Sequence, residues 1–224
     1  MKSLSFFEVS RGIFHLLLVG DIAIGTFNYN KLIGDQKIVY YLLICTSIVE
    51  VVTVLLWRLK RNNNFVYHFY SVTEFLLLGT LYVRHLKLWI KPVYLQSVII
   101  LFIMFAVTNT LFFQNLKEFN SHTTVVESVL LILFGMLYCY YWLKHGGHQP
   151  LKRVPMFWIN TSVLAYFSGA MILFHVVNDL VPQPLKERQL IWGVHSLFNI
   201  AHYFLYGVAL WVTPLKPTDS RLNL

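Results

Sequence analysis

Leu190–Val212 reads LIWGVHSLFNIAHYFLYGVALWV, and how this stretch is read decides the fold. A helix of this length is long enough to cross a bilayer, for which about 20 apolar residues suffice. Yet His195, Asn199 and His202 sit inside the apolar run. At helical spacing they share a narrow arc of one face, and Trp192 and Tyr206 extend the stripe. Lipid offers no partner to two imidazoles and an amide, so this face must look into a protein interior.

The rest of the chain has the same character. Of its 224 residues 57% are hydrophobic and 12% charged, where a soluble domain carries about a quarter charged. Mean hydropathy is +0.59. The apolar residues fall in long blocks, which marks an integral membrane protein. The net charge of +8 comes from 18 Lys and Arg against 10 Asp and Glu. These charges lie mostly between blocks, where they meet lipid headgroups, and no nucleic-acid partner is expected. Cys45 and Cys139 both fall inside apolar blocks and read as packing residues.

Seven blocks follow one another: Gly12–Phe27, Ile38–Trp57, Phe65–Val83, Val93–Phe113, Thr124–Leu143, Pro155–Leu180 and Leu190–Val212. Asp21 breaks the apolar core of the first, so it is expected as a retained helix and not a signal peptide. The connections are short and force antiparallel neighbours. The expected fold class is therefore all-α, a polytopic up-and-down bundle of seven transmembrane helices. Residues 1–224 are expected to form one transmembrane domain with no soluble domain. Of the 18 Lys and Arg, eight fall on the N-terminal side and ten on the other. That split does not decide orientation by charge, and the N-terminus is taken as outside.

Depth is more informative than charge. His15 lies about one turn into the first block and Asp21 about two and a half. Glu50 lies about two turns from the end of the second. In the third, His68 is about one turn in and Glu74 about two and a half. Asn109, Glu127, His175, His195 and Asn199 also fall in the half of the bundle that carries the N-terminus, whereas Gln96, Ser97, Asn160 and Thr161 mark the milder opposite half. Charged groups in hydrocarbon need a cavity or a partner. One shared pocket, open to the N-terminal side, is expected from Glu50, His68, Ser71, Glu74, Asn109, Glu127, His175, His195 and Asn199. His202 lies deeper and is expected to brace packing. In the third block Tyr67, Ser71 and Glu74 share a face. In the sixth, Thr161, Ser168 and His175 recur every seven residues, and Asp179 continues that face.

Two chemistries stay open for these groups. His175 and His195 flank a short connection, and His68 or Glu127 would complete a zinc set; alternatively the histidines hydrogen-bond to serines, carbonyls or each other. Glu50, Glu74 and Glu127 can receive an amine, relay protons or bind a cation, or they can fix helix packing through His and Tyr. His145-Gly-Gly-His148 reads as an interfacial turn, Tyr138–Trp142 as an aromatic belt, and RLKRNNN at Arg58–Asn64 as a headgroup contact. The stretch Leu190–Val212 holds no lysine for a retinal Schiff base, and no nucleotide-binding glycine loop or G-x-S-x-G elbow occurs.

The stretches NNNFVYHFYSVTEFLLL, FWINTSVLAYFSGAMILF and IWGVHSLFNIAHYFLYGVALW together resemble seven-helix membrane regions of uncharacterised bacterial proteins, some of which precede sensor histidine kinase domains. That resemblance implies a bacterial inner-membrane sensor that binds a small-molecule or lipid ligand and signals through a separate partner protein. His68 with Ser71 and Glu74, and the seventh block's histidines, are also similar to the alkaline ceramidase and adiponectin-receptor-like hydrolases. That second resemblance implies zinc on His68, His175 and His195 and hydrolysis of a lipid. The departure is at Asn199, where an H-x-x-x-H pair would place a histidine. The leading expectation is the sensor, with no cofactor. The zinc hydrolase is the alternative, and a small proton-coupled carrier is a third reading.

Overall fold

The computed structural model describes residues 5–145, 150–176 and 184–212. Among these residues it is all-α, with seven α-helices and no strand. They are α1 (Phe6–Phe27), α2 (Gly34–Arg58), α3 (Asn64–Leu86), α4 (Pro92–Phe112), α5 (Ser121–His145), α6 (Pro155–Val176) and α7 (Leu185–Trp211).

Local chemistry explains where the helices begin and end. Helix α1 starts six residues before the apolar run because Ser5 and Glu8 form a capping box. The Ser5 amide donates to Glu8 Oε2 at 2.7 Å, and the Glu8 amide donates to Ser5 Oγ at 3.3 Å. Pro92 opens α4 at a position where no amide hydrogen is needed. Helix α2 ends where Lys60 takes a left-handed conformation with φ 54°, and its last carbonyls accept from the amides of Lys60 and Arg61. Helix α7 follows Pro184 and begins five residues before Leu190. It therefore takes in Lys186, so the helix is not lysine-free as the shorter stretch is.

Successive helices pack side by side, and α7 returns to α1 to close the ring. Helix α3 also packs directly on α5, which leaves α4 outside the ring against their outer surfaces. The ends alternate up and down. On one side the start of α2 meets the ends of α3 and α7: Asp35 Oδ2 lies 2.7 Å from His85 Nε2, and Gln36 Nε2 donates to the carbonyls of Ala209 (2.8 Å) and Val212 (2.9 Å). The Gln36 side chain thus caps the C-terminus of α7 from another helix.

The solid apolar core fills that same half. It is built from Val39, Leu42 and Leu43 of α2, Leu78 and Leu81 of α3, Leu131 of α5, Ile159 and Val163 of α6, and Ala209 of α7. The other half of the ring is less filled.

Four helices, α2, α4, α5 and α6 (the last over Pro155–His175), are long and apolar enough to cross a membrane. The other three, α1, α3 and α7, carry the interrupting polar residues: Arg11, His15 and Asp21; His68, Glu74 and Arg84; His195, Asn199 and His202.

Glycines let α7 approach its neighbours. A Cβ on Gly207 would collide with the Asp21 carboxylate of α1, and one on Gly169 would collide with the Phe198 ring. Gly20 faces open space. Gly207→Ala is therefore expected to destabilise the protein by about 1–3 kcal/mol through overpacking. Gly20→Ala is expected to be neutral or to stabilise by about 0.5–1 kcal/mol through helix propensity. Thermal unfolding of the two purified variants checks the pair.

Candidate functional site

A cavity of about 320 Å³ opens in the less filled half of the ring. Helical periodicity brings each wall together. On α1 the wall is Phe7, Arg11 and Phe14, and on α2 it is Thr46, Glu50, Thr53 and Trp57; both follow the i, i+4, i+7 pattern of one face. On α3 Tyr67, Tyr70, Ser71 and Glu74 line it, and on α7 Trp192, His195, Asn199 and His202 do. Tyr166 and Phe174 of α6, Thr124 of α5 and Asn120 of the α4–α5 connection close the ring. Helix α4 contributes nothing, as its place outside the ring requires.

The mouth is polar and paired. Glu50 Oε2 lies 3.1 Å from His15 Nε2 and 3.7 Å from an Arg11 nitrogen. Asn62 and Asn64 both donate to the Lys117 carbonyl at 2.8 Å and Asn63 donates to the Thr53 carbonyl, so the asparagines of RLKRNNN tie the connections together at this end. Phe119, Phe174 and Trp192 form an aromatic rim. Phe174 and Trp192 approach the His195 ring at 5.2 and 5.5 Å.

Midway down, His195 is fixed on both nitrogens. Asn199 Nδ2 donates to Nδ1 at 3.2 Å, which leaves Nε2 to meet the Tyr166 hydroxyl at 3.2 Å. At the floor, His202 Nδ1 bonds Ser162 Oγ at 2.8 Å, and its ring packs on Tyr166 and Tyr206. His202 therefore both braces α6 on α7 and borders the cavity. Glu74 accepts from the Tyr70 hydroxyl at 3.0 Å, and that hydroxyl also lies 2.9 Å from Thr46 Oγ1. No cation among the described residues pairs with Glu74.

Five residues expected in the pocket line it: Glu50, Ser71, Glu74, His195 and Asn199. Four do not. His68 is one position off the cavity face of α3 and turns to α4, with Nδ1 2.9 Å from Thr110 Oγ1 and Nε2 3.1 Å from the Glu118 carbonyl. Asn109 braces the α4–α5 connection, donating to Gln114 Oε1 and Thr123 Oγ1 at 3.1 Å. Glu127 is fully buried behind the wall beside Ser71 and Glu74, and no cation among the described residues pairs with it. His175 is exposed at the end of α6.

The expected inward face of α6 is corrected too. Ser168 and His175 are exposed, and the buried face runs through Ser162, Val163, Phe167 and Phe174. A helical hydroxyl can bond its own backbone, as Thr161 does to the Phe157 carbonyl at 2.8 Å, so threonine and serine do not fix which way a helix faces. Asp179 and the Gly146–Gln149 part of the HGGHQP stretch lie outside the described residues.

His68, His175 and His195, the zinc set of the hydrolase alternative, face three directions. No group of three His, Cys, Asp or Glu side chains among the described residues is placed to hold a metal ion. Arg11, Tyr70 and Tyr166 are cavity residues that the sequence reading missed. The i+3 step from Tyr67 to Tyr70 was a signal for one of them.

Comparison with protein families, curated proteins and solved structures finds no match for this chain. Its function must therefore be read from the site.

Asn120 joins the cavity wall to the connection behind it, donating to Ser71 Oγ at 2.7 Å and to the Tyr67 carbonyl at 3.2 Å from a fully buried position. Asn120→Ala is expected to cost about 1–3 kcal/mol. The exposed Asn115→Ala should change stability by no more than about 0.5 kcal/mol. Chemical or thermal unfolding in detergent compares the two.

Proposed function

We propose that this chain is a seven-span membrane protein that binds a small molecule in one half of the bilayer and reports its presence by a shift of helix packing. The observation that carries the proposal is the one-ended cavity, lined by residues of six helices and open beside the Arg11–Glu50 pair. Its volume is at the lower end of the range for small-molecule sites, about 300–1,000 Å³. Aromatic walls with a few convergent polar groups are what such sites contain.

The outer surface supports seven spans. The three polar helices still present large apolar side chains outward: Val9, Ile13, Leu16 and Val19 on α1, Phe65, Phe69 and Leu76 on α3, and Leu190, Leu197, Phe204 and Trp211 on α7. Leu16 is 74% exposed and Phe204 58%. Such a continuous apolar belt suits lipid and not water. The polar residues that lower the hydropathy of these helices are mainly those turned to the cavity, the ring interior or the mouth.

The architecture also suits a sensor. A ligand bridging α1, α2, α3, α6 and α7 at the open end would favour one arrangement of helices whose other ends are held by Gln36 and Asp35. It shifts only states that it distinguishes. The output would pass to a separate partner protein at the bilayer face.

A library of compounds small enough for the cavity, screened by thermal shift, tests the binding. A ligand at about 100 times its Kd stabilises by about 2.7 kcal/mol. Compounds are expected that raise the melting temperature of the wild type but not of Ser196→Trp, which fills the cavity. Failure to find any compound that separates the two proteins would contradict the proposal. The sensing step has its own readout at the open end, in a single cysteine at the exposed Leu59 after α2, in a background lacking Cys45 and Cys139. Its rate of thiol modification should change severalfold on ligand binding, and an unchanged rate would leave a binding protein that does not signal.

A further inference from the structure

Building on the binding-site reading, we propose that the cavity takes an organic cation, a primary or quaternary ammonium on an aromatic or short apolar body, seated against Glu74. The two carboxylates of the lining differ in how they are compensated. Glu50, at the mouth, already has Arg11 and His15. Glu74, at the floor, is 7% exposed and has one neutral donor, Tyr70, on one of its oxygens. It also stands beside a second carboxyl, Glu127, buried completely and without a cation partner among the described residues. Neither carboxyl of the floor has a cation partner among the described residues, so a bound cation is the partner that would let Glu74 carry its charge.

The walls match that charge. Tyr70, Tyr166 and Tyr203 line the cavity, with the Tyr70 hydroxyl on Glu74, and Phe14 packs at 5.1 Å on Tyr203. Aromatic faces around a carboxylate are the recognised chemistry for ammonium groups, attractive through the ring quadrupole and stronger when water is excluded. An anionic ligand would meet Glu74 with no cation beside it among the described residues, since Arg11 is held at the mouth by Glu50. A neutral ligand would gain from Glu74 only a hydrogen bond and no charge pairing.

The test compares three probes of one shape: 2-phenylethylammonium, 2-phenylethanol and 3-phenylpropionate. Binding to the purified protein is measured by calorimetry at pH 7. The ammonium is expected to bind roughly tenfold or more tighter than the alcohol, the carboxylate least of all. Glu74→Gln should reduce the ammonium to the level of the alcohol while leaving alcohol binding intact, which shows that the cavity persists. Glu74→Asp, which keeps the charge, should retain the preference for the ammonium. An alcohol or carboxylate that binds as tightly as the ammonium would overturn the cation assignment and leave a ligand-binding cavity standing. A preference for the ammonium that survives Glu74→Gln would remove Glu74 from the site. Saturable binding by none of the three would overturn this inference. Loss of the binding-site reading would require the wider library to fail as well.

Discussion

A carboxylate inside hydrocarbon needs a partner, a proton or a cavity, because transferring it alone costs several kcal/mol or more. Both ends of this structure are arranged around that constraint. Glu50 is compensated by Arg11 and His15, Asp35 by His85 and Arg84, and Glu74 by a tyrosine and an open space. Imidazoles and amides obey the same requirement on a smaller scale. His195 leans on Tyr166 and Asn199, His202 on Ser162, and His68 on Thr110 and the Glu118 carbonyl.

The helix arrangement follows. Placing α4 outside lets α3 meet α5 directly, and the remaining six helices enclose both a solid core and a cavity, one in each half. The core half is closed by leucine, isoleucine, valine and aromatic packing and by cross-helix caps such as Gln36 on the end of α7. The cavity half is lined by residues that recur at three and four positions along α1, α2, α3 and α7. Within the proposed function, the solid half would act as the fixed frame against which ligand-linked movement at the open end is read.

The sequence disclosed the depth of the polar residues better than their direction. The stripe of His195, Asn199 and His202 and the triplet Tyr67, Ser71 and Glu74 do face the cavity, because both patterns contain groups too costly to leave in lipid. The α6 stripe of Thr161, Ser168 and His175 does not, since hydroxyls satisfy themselves on their own helix and a histidine near a helix end can reach the interface. His68 and Asn109 have the expected depth, but they serve the contacts of α4, whose displacement from the ring leaves no trace in the periodicity of any single helix. Early helix starts escaped for another reason: an apolar run locates the middle of a helix, whereas the Ser5–Glu8 capping box and Pro184 locate its first turn. The apolar faces of α1, α3 and α7 are visible only when exposure is known residue by residue.

The proposed function requires a water-accessible cavity on one side of a lipid-embedded seven-span bundle. Single cysteines at Asn63, Ser196, Leu197 and Phe204, placed in a background lacking Cys45 and Cys139, test it most directly in sealed vesicles of uniform orientation. A small, charged, membrane-impermeant thiol reagent is added to one face and then to the other. Asn63→Cys at the mouth and Ser196→Cys on the wall are expected to react from the same side, and Leu197→Cys and Phe204→Cys from neither. Rapid labelling of Leu197→Cys and Phe204→Cys, or labelling of Ser196→Cys from the face opposite Asn63→Cys, would contradict the proposal.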